Sequence, residues 1–161
     1  DIIPRVKERV FPIGRLDSDA EGIILLTNDG ELAQRLNKPK YEVPKTFMVK
    51  IDGHLDDKRI KRLQYGIKVE DFKTKPIQIE QIKKSPGKEW LRVTLTDTQN
   101  RLIRKVFENV GRPVDKVLRE AFGPISIKGM VRGQYRYLGA DEIESLKVFV
   151  GLSSEGQGKK K

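Results

Sequence analysis

Apolar residues recur along this chain at two periods, and the periods mark its elements. In KTFMVKI, residues 45–51, Phe47, Val49 and Ile51 take every second position, as on a strand with one buried face. PIQIEQI (76–82) and EWLRVTLTD (89–97) alternate in the same way, and Leu91, Val93 and Leu95 share a face of the latter. IILLT (23–27) is a continuous apolar run that predicts a fully buried strand. The pattern turns helical over 99–110, QNRLIRKVFENV, where Leu102, Ile103, Val106, Phe107 and Val110 form one stripe. Arg101, Arg104, Lys105 and Glu108 fall on another face, and Gly111 is placed to end the helix. Shorter helices are predicted over NDGELAQRLN (28–37), over DDKRIKRLQYG (56–66, closed by Gly66) and over DEIESLKVF (141–149, with Asp141 as cap). PISIKGM (124–130) and GQYRYL (133–138) read as two more strands. The whole is an α+β domain over residues 1–150 with no internal repeat, followed by a tail, 151–161, of disordered, basic composition.

Charge adds a partner class to this outline. Against 23 Asp and Glu stand 33 Lys and Arg, a net of +10 with pI near 9.8 in 161 residues. Such a surface attracts polyanions, RNA or DNA first, although many lysines are also compatible with plain solubility. Cysteine is absent, which excludes disulfides, thiolate zinc sites, iron–sulfur clusters and thiol nucleophiles. No apolar run approaches the length of a membrane span and no signal peptide is visible.

One stretch contradicts the basic balance. In IGRLDSDAEGIILLTNDG, residues 13–30, Asp17, Asp19 and Glu21 alternate just before the apolar run. A calcium loop would need a bidentate glutamate at its twelfth position, which here is Asn28, and flanking helices instead of a strand. An Asp-x-Asp phosphotransferase, which would require magnesium, would carry its acids after a strand, and here the strand follows. The remaining reading is a single working carboxylate, Asp17, beside Arg15 on the same side of an extended segment. Spacing alone does not separate that from a solvated ion pair.

The stretch FPIGRLDSDAEGIILLTNDGEL resembles the signature of the bacterial ribosomal-RNA pseudouridine synthases, the type with the Gly-Arg-Leu-Asp motif. The resemblance continues in order through VPKTFMVKI, QNRLIRKVFENVGRPVDKVLREAFGPI and GQYRYLGADEI, covering most of residues 1–145. It implies a mixed, mainly antiparallel sheet flanked by helices around a central RNA-binding cleft. It implies that Asp17 is the catalytic aspartate and that Arg15 fills the gap left by a flipped nucleotide. Arg104 would be the basic residue paired with the catalytic aspartate, and Phe47 stands where the family usually has a tyrosine against the target base. Arg101 and Lys105, with Arg112, Lys116 and Arg119, would be phosphate contacts.

The implied reaction breaks the N1–C1′ bond of a uridine, turns the base and rejoins it through C5, with no redox step and no cofactor or metal. A guanidinium beside the aspartate would keep it ionised, and the base must first leave its stack. Whether Asp17 attacks the sugar or C6, or first abstracts a proton, stays open. The sequence departs from the family pattern at Phe47, at Ala20-Glu21, at Gln99 and at Leu102. The resemblance also leads one to expect a small N-terminal RNA-binding module and a further strand ahead of Asp1, so that the sequence is a fragment or has lost its beginning. The implied partner is ribosomal RNA or a pre-ribosomal particle, met by a monomer with no membrane association. The implied place is a bacterial cytoplasm or an organelle of bacterial descent. The rival expectation is a non-catalytic RNA-binding module for ribosome assembly on the same fold. His54, in IDGHLDD, reads as a surface turn residue, and Trp90 and Tyr135 as strand residues of core or cleft wall.

Overall fold

The computed structural model describes residues 7–17, 19–97 and 101–152. In chain order its strands are β1 (Phe11–Ile13), β2 (Glu21–Gly22), β3 (Leu25–Thr27), β4 (Lys45–Asp52), β5 (Lys68–Val69), β6 (Phe72–Lys73), β7 (Gln78–Ser85), β8 (Lys88–Leu95), β9 (Val114–Phe122) and β10 (Ile125–Ser126). The helices are α1 (Gly30–Leu36), α2 (Asp57–Tyr65), α3 (Leu102–Asn109) and α4 (Ala140–Phe149).

The scaffold is a six-stranded sheet ordered β10-β9-β4-β8-β7, antiparallel throughout that path, with β2 running parallel beside β9. β4 and β8 pair from Lys45↔Leu95 to Asp52↔Lys88, and the alternation expected of both strands holds: Val49, Ile51, Leu91 and Val93 are fully buried. α3 lays its apolar stripe on this face, burying Leu102, Ile103, Val106 and Phe107. These side chains, with Leu63 of α2, form one core. A second core gathers Ile13, Leu25, Leu32, Leu36, Phe122, Ile125 and Leu146 from β1, β3, α1, β9, β10 and α4, with Val43 from the connection before β4.

Caps follow the sequence at two helices. Asp29 accepts from the Leu32 N–H at the start of α1, and Asp56 from the Arg59 N–H at the start of α2. Gly66 ends α2 at φ +95°, where a Cβ would lie 2.4 Å from the Thr74 carbonyl oxygen. At α4 the expected cap is displaced. Gly139, not Asp141, precedes the helix, and its N–H donates to the Glu142 carboxylate at 3.0 Å.

Three strand expectations need correction, and one strand was not foreseen. IILLT is not a fully buried strand: Ile23 and Leu25 are buried but Ile24 and Leu26 are exposed, because only one side of the segment meets a core. PISIKGM supplies only Ile125–Ser126. GQYRYL forms no strand, and Tyr135 and Tyr137 are exposed in a loop that finds no strand to pair with among the described residues. Conversely, VDKVLREAF becomes the long strand β9 in the middle of the sheet. Its pairing with β4 skips Glu120 between Thr46↔Ala121 and Phe47↔Arg119, a bulge that returns Phe122 to the face already occupied by Val117 and Arg119. The anticipated tail lies outside the described residues from 153 onward, as do residues 1–6 and Gln99.

Candidate active site

Between the two cores the inner face of the sheet opens into a cavity of about 280 Å³. Its floor is the end of that face: Lys45 and Phe47 from β4, Leu95 from β8, Val117, Arg119 and Phe122 from β9. Its rim is the segment Gly14–Asp17 with Asp19 and Ala20 on one side, and the start of α3, Arg101 to Arg104, on the other. Arg15, Asp17, Phe47, Arg101 and Arg104 therefore meet in one cleft although they lie far apart in sequence. Lys105 does not line it; its ammonium faces Glu70 at 3.6 Å, one step further round α3.

The acidic segment is held over β9 by its backbone. Gly22 pairs with Arg119 in the parallel β2–β9 contact, and the Ile23 N–H donates to the Arg119 carbonyl at 2.9 Å. At Gly22 φ is +126°, and a Cβ would stand 2.2 Å from the Arg119 carbonyl oxygen, so only glycine lets the two backbones meet. The Arg119 side chain returns the contact. Its Nε and Nη2 donate to the Ile23 carbonyl at 3.0 and 2.7 Å, and Nη1 reaches the Arg15 carbonyl at 3.5 Å. Arg119 is only 3% exposed, so the expectation of a surface phosphate contact is wrong for it. Burial lowers its guanidinium to about 10, which leaves it charged at neutral pH. Arg112 is likewise occupied, its Nε donating to the His54 carbonyl at 2.6 Å.

The pairing expected for Arg104 also differs. Its Nε lies 2.6 Å from Asp19 Oδ2, and its Nη1 donates to the Val114 carbonyl at 3.1 Å. Arg101 approaches the same Asp19 oxygen at 3.5 Å. The reason is a turn, closed by the Ala20 N–H on the Asp17 carbonyl at 2.9 Å, that swings Asp19 toward the start of α3. Asp17 is half-buried, and its carboxylate makes no hydrogen bond or ion pair among the described residues. The three acids thus divide their duties. Asp19 ties the loop to α3, Glu21 faces Arg132 at 3.3 Å at the surface, and Asp17 is left open to the cavity.

Lys45 was not singled out by its sequence, yet it lines the cleft two residues before Phe47 on the same strand face. Burial, helped by the Arg119 charge and opposed by Asp97, lowers its ammonium to about 8. The period-2 pattern of β4 already placed Lys45 on the face of Phe47; nothing in the pattern distinguished it from an ordinary exposed lysine. The other aromatic and histidine candidates lie elsewhere. His54 is half-buried in the turn after β4, with Nε2 2.8 Å from the Ser85 carbonyl oxygen, and Trp90 is half-buried on β8 beneath Lys50.

Among the described residues, no group of three or more His, Cys, Asp or Glu could hold a metal ion. What the cleft offers is an open carboxylate beside a flat aromatic ring, within a wall of arginines. This suits a planar base attached to a phosphate chain.

Comparison with known proteins narrows that chemistry. Residues 4–109 match the family model described as RNA pseudouridylate synthase. A protein of Aquifex aeolicus described as an RNA pseudouridine synthase is 36% identical over 152 residues, covering 94% of this chain and 61% of that protein. The ribosomal large subunit pseudouridine synthase B of Bacillus subtilis is 35% identical over 149 residues, covering 91% of this chain and 61% of that one. This chain thus spans about three fifths of the length of these relatives. A solved pseudouridylate synthase superposes with a TM-score of 0.79 at 27% identity, over 85% of this chain and 59% of its own. Motif order, sheet topology and these likenesses agree, and the chain belongs to the RNA pseudouridylate synthase family.

Proposed function

We propose that this protein isomerises a uridine of ribosomal RNA, in the large subunit as the name of its Bacillus relative suggests, to pseudouridine. Asp17 is the catalytic residue and no cofactor takes part. The observation that carries the reading is the Asp17 carboxylate, free of partners among the described residues and facing a cavity that Phe47, Arg15, Arg101 and Arg104 also line. The reading extends to a monomer acting in a bacterial cytoplasm, in keeping with the bacterial relatives. Among the described residues no helix is long and apolar enough to cross a membrane.

The chemistry is balanced without an outside reactant. The N1–C1′ bond breaks, a C1′–C5 bond forms, the C5 proton leaves and N1 takes up a proton. The cleft's contribution is positioning and charge. Phe47 supports the face of the extruded base, while Arg15 is at the rim where the vacated stack would lie. Arg101 and Arg104 neutralise approaching phosphates while Asp19 holds them in place. Arg119 fixes the backbone of the Asp17 segment from below and is a positioning residue. Phe47 has no hydroxyl, so no step is assigned to that position beyond stacking.

The deciding assay is tritium release from ribosomal RNA labelled at C5 of uridine, taken from cells lacking this gene, with EDTA present. Wild type is expected to release tritium, and Asp17→Asn to fall by at least about 10³-fold while still binding RNA. Binding without release by either protein would favour the non-catalytic module, and release by Asp17→Asn would remove Asp17 from its role.

A further inference from the structure

A second feature of the surface is left unused by the cleft. Lys58, Lys61, Arg62 and Tyr65 stand at i, i+3, i+4 and i+7 along α2, a single face of the helix. The opposite side is committed to the core through Leu63 and Ile60. Like charges at these spacings repel and weaken the helix that carries them. Asp57 lies one turn before Lys61, yet the described residues show no ion pair for Lys58, Lys61, Arg62 or Lys68. Arg62 has only a long contact of 3.4 Å to the Asn109 side chain. Tyr65 closes the stripe with 85% of its surface exposed.

This face borders an open groove of about 690 Å³, completed by Lys68 of β5 and by Asn109 at the end of α3. α3 links the groove to the cleft, since its first turn lines the cleft and its last residue lines the groove. From Leu102 to Asn109 the helix advances about 10 Å at ~1.5 Å per residue. A nucleic-acid strand covers that in about three nucleotides at ~3.4 Å each.

We propose that the groove between α2 and the end of α3 is a second RNA-contact site. It holds the substrate strand a few nucleotides from the target uridine. Lys58, Lys61, Arg62 and Lys68 take its phosphates, and Tyr65 stacks on an unpaired base. Unpaired cations and an exposed ring on one helix face complement a strand carrying both negative charge and a π-face. The proposal rests on the RNA-modifying reading above.

The test measures affinity of the full chain for a fluorescent hairpin of ribosomal RNA by anisotropy, across a salt series. Lys61→Gln/Arg62→Gln is expected to weaken binding about tenfold and to make the slope of log K against log salt shallower by about 1.4, two charges at ~0.7 each. Tyr65→Ala is expected to weaken binding about fivefold or more with the slope unchanged. Lys128→Gln/Lys147→Gln, which removes equal charge near β10 and α4, controls for net charge and is expected to change affinity less than twofold. An α2 double variant that binds like wild type, or no more weakly than the Lys128/Lys147 control, overturns the site, as does an unaltered Tyr65→Ala. If wild type itself neither binds the hairpin nor releases tritium, the RNA reading fails as a whole, an outcome distinct from loss of the groove alone.

Discussion

Lys45 shows how one position in the cleft acquires chemistry from its surroundings. An exposed lysine titrates near 10.5, whereas burial, with the Arg119 charge beside it, lowers this one to about 8. The folded value is below the unfolded one, so between about 8 and 10.5 the unfolded chain holds more protons. Stability contributed by this group therefore rises with pH through that window, and its penalty is complete below pH 8. Lys45→Met should accordingly be more stable than wild type at pH 7, with the difference shrinking by pH 10, as urea unfolding at the two pH values would reveal. A gap that is constant with pH would contradict the buried ammonium. Phe47, its neighbour on the same face, was legible from alternation and resemblance together. Lys45 was not, because a polar residue at the mouth of a strand is ordinarily solvated.

At the scale of elements, the contact between β2 and β9 decides where the Asp17 segment sits. β2 is only two residues long, so its ladder alone is weak; the Arg119 guanidinium adds two donors to the Ile23 carbonyl from beneath. Arg119→Met keeps the apolar stem but leaves that carbonyl without the side-chain donors. The expected cost is about 2 kcal/mol in stability. A larger relative fall in tritium-release rate should accompany it, because the Asp17 segment loses its anchor. Full activity in Arg119→Met would show that the backbone pairing suffices. The strand that carries Arg119 escaped the sequence pattern for a physical reason. The bulge at Glu120 breaks its period, and one of its inward positions is an arginine. GQYRYL failed in the opposite sense, since it has the alternation of a strand but, among the described residues, no neighbouring strand to complete its hydrogen bonds. α3 was legible because its stripe depends only on local spacing, although it begins at Leu102 after a cap, Arg101, that takes a left-handed backbone at φ 57°.

For the whole molecule, the cleft exists because two cores meet along β9. Phe122 belongs to the second core and also walls the cleft, while Val117 on the same strand belongs to the first. Phe122 is 1% exposed, and truncating a buried phenylalanine costs about 3–5 kcal/mol. That is a large part of a typical domain stability of ~5–15 kcal/mol. Phe122→Ala should therefore lower the urea midpoint sharply while unfolding in one transition, because the shared strand β9 couples the cores. Two separate transitions would show that the cores are independent. The net charge of +10 acts at this scale too, favouring polyanions over the whole surface, while α3 contributes its first turn to the cleft and its last residue to the α2 groove.

The sequence by itself determined the local periods, the mixed architecture, the net positive charge and, through the resemblance, the family. These depend on neighbours a few residues apart or on motifs that keep their order. Only the tertiary structure decided which acid faces the cavity and which is tied to Arg104. It also decided that Arg119 is a buried anchor and that Lys45 shares the cleft. Those assignments arise from groups scores of residues apart that are brought together by a bulge, a parallel pairing and the junction of two cores, none of which leaves a period in the chain.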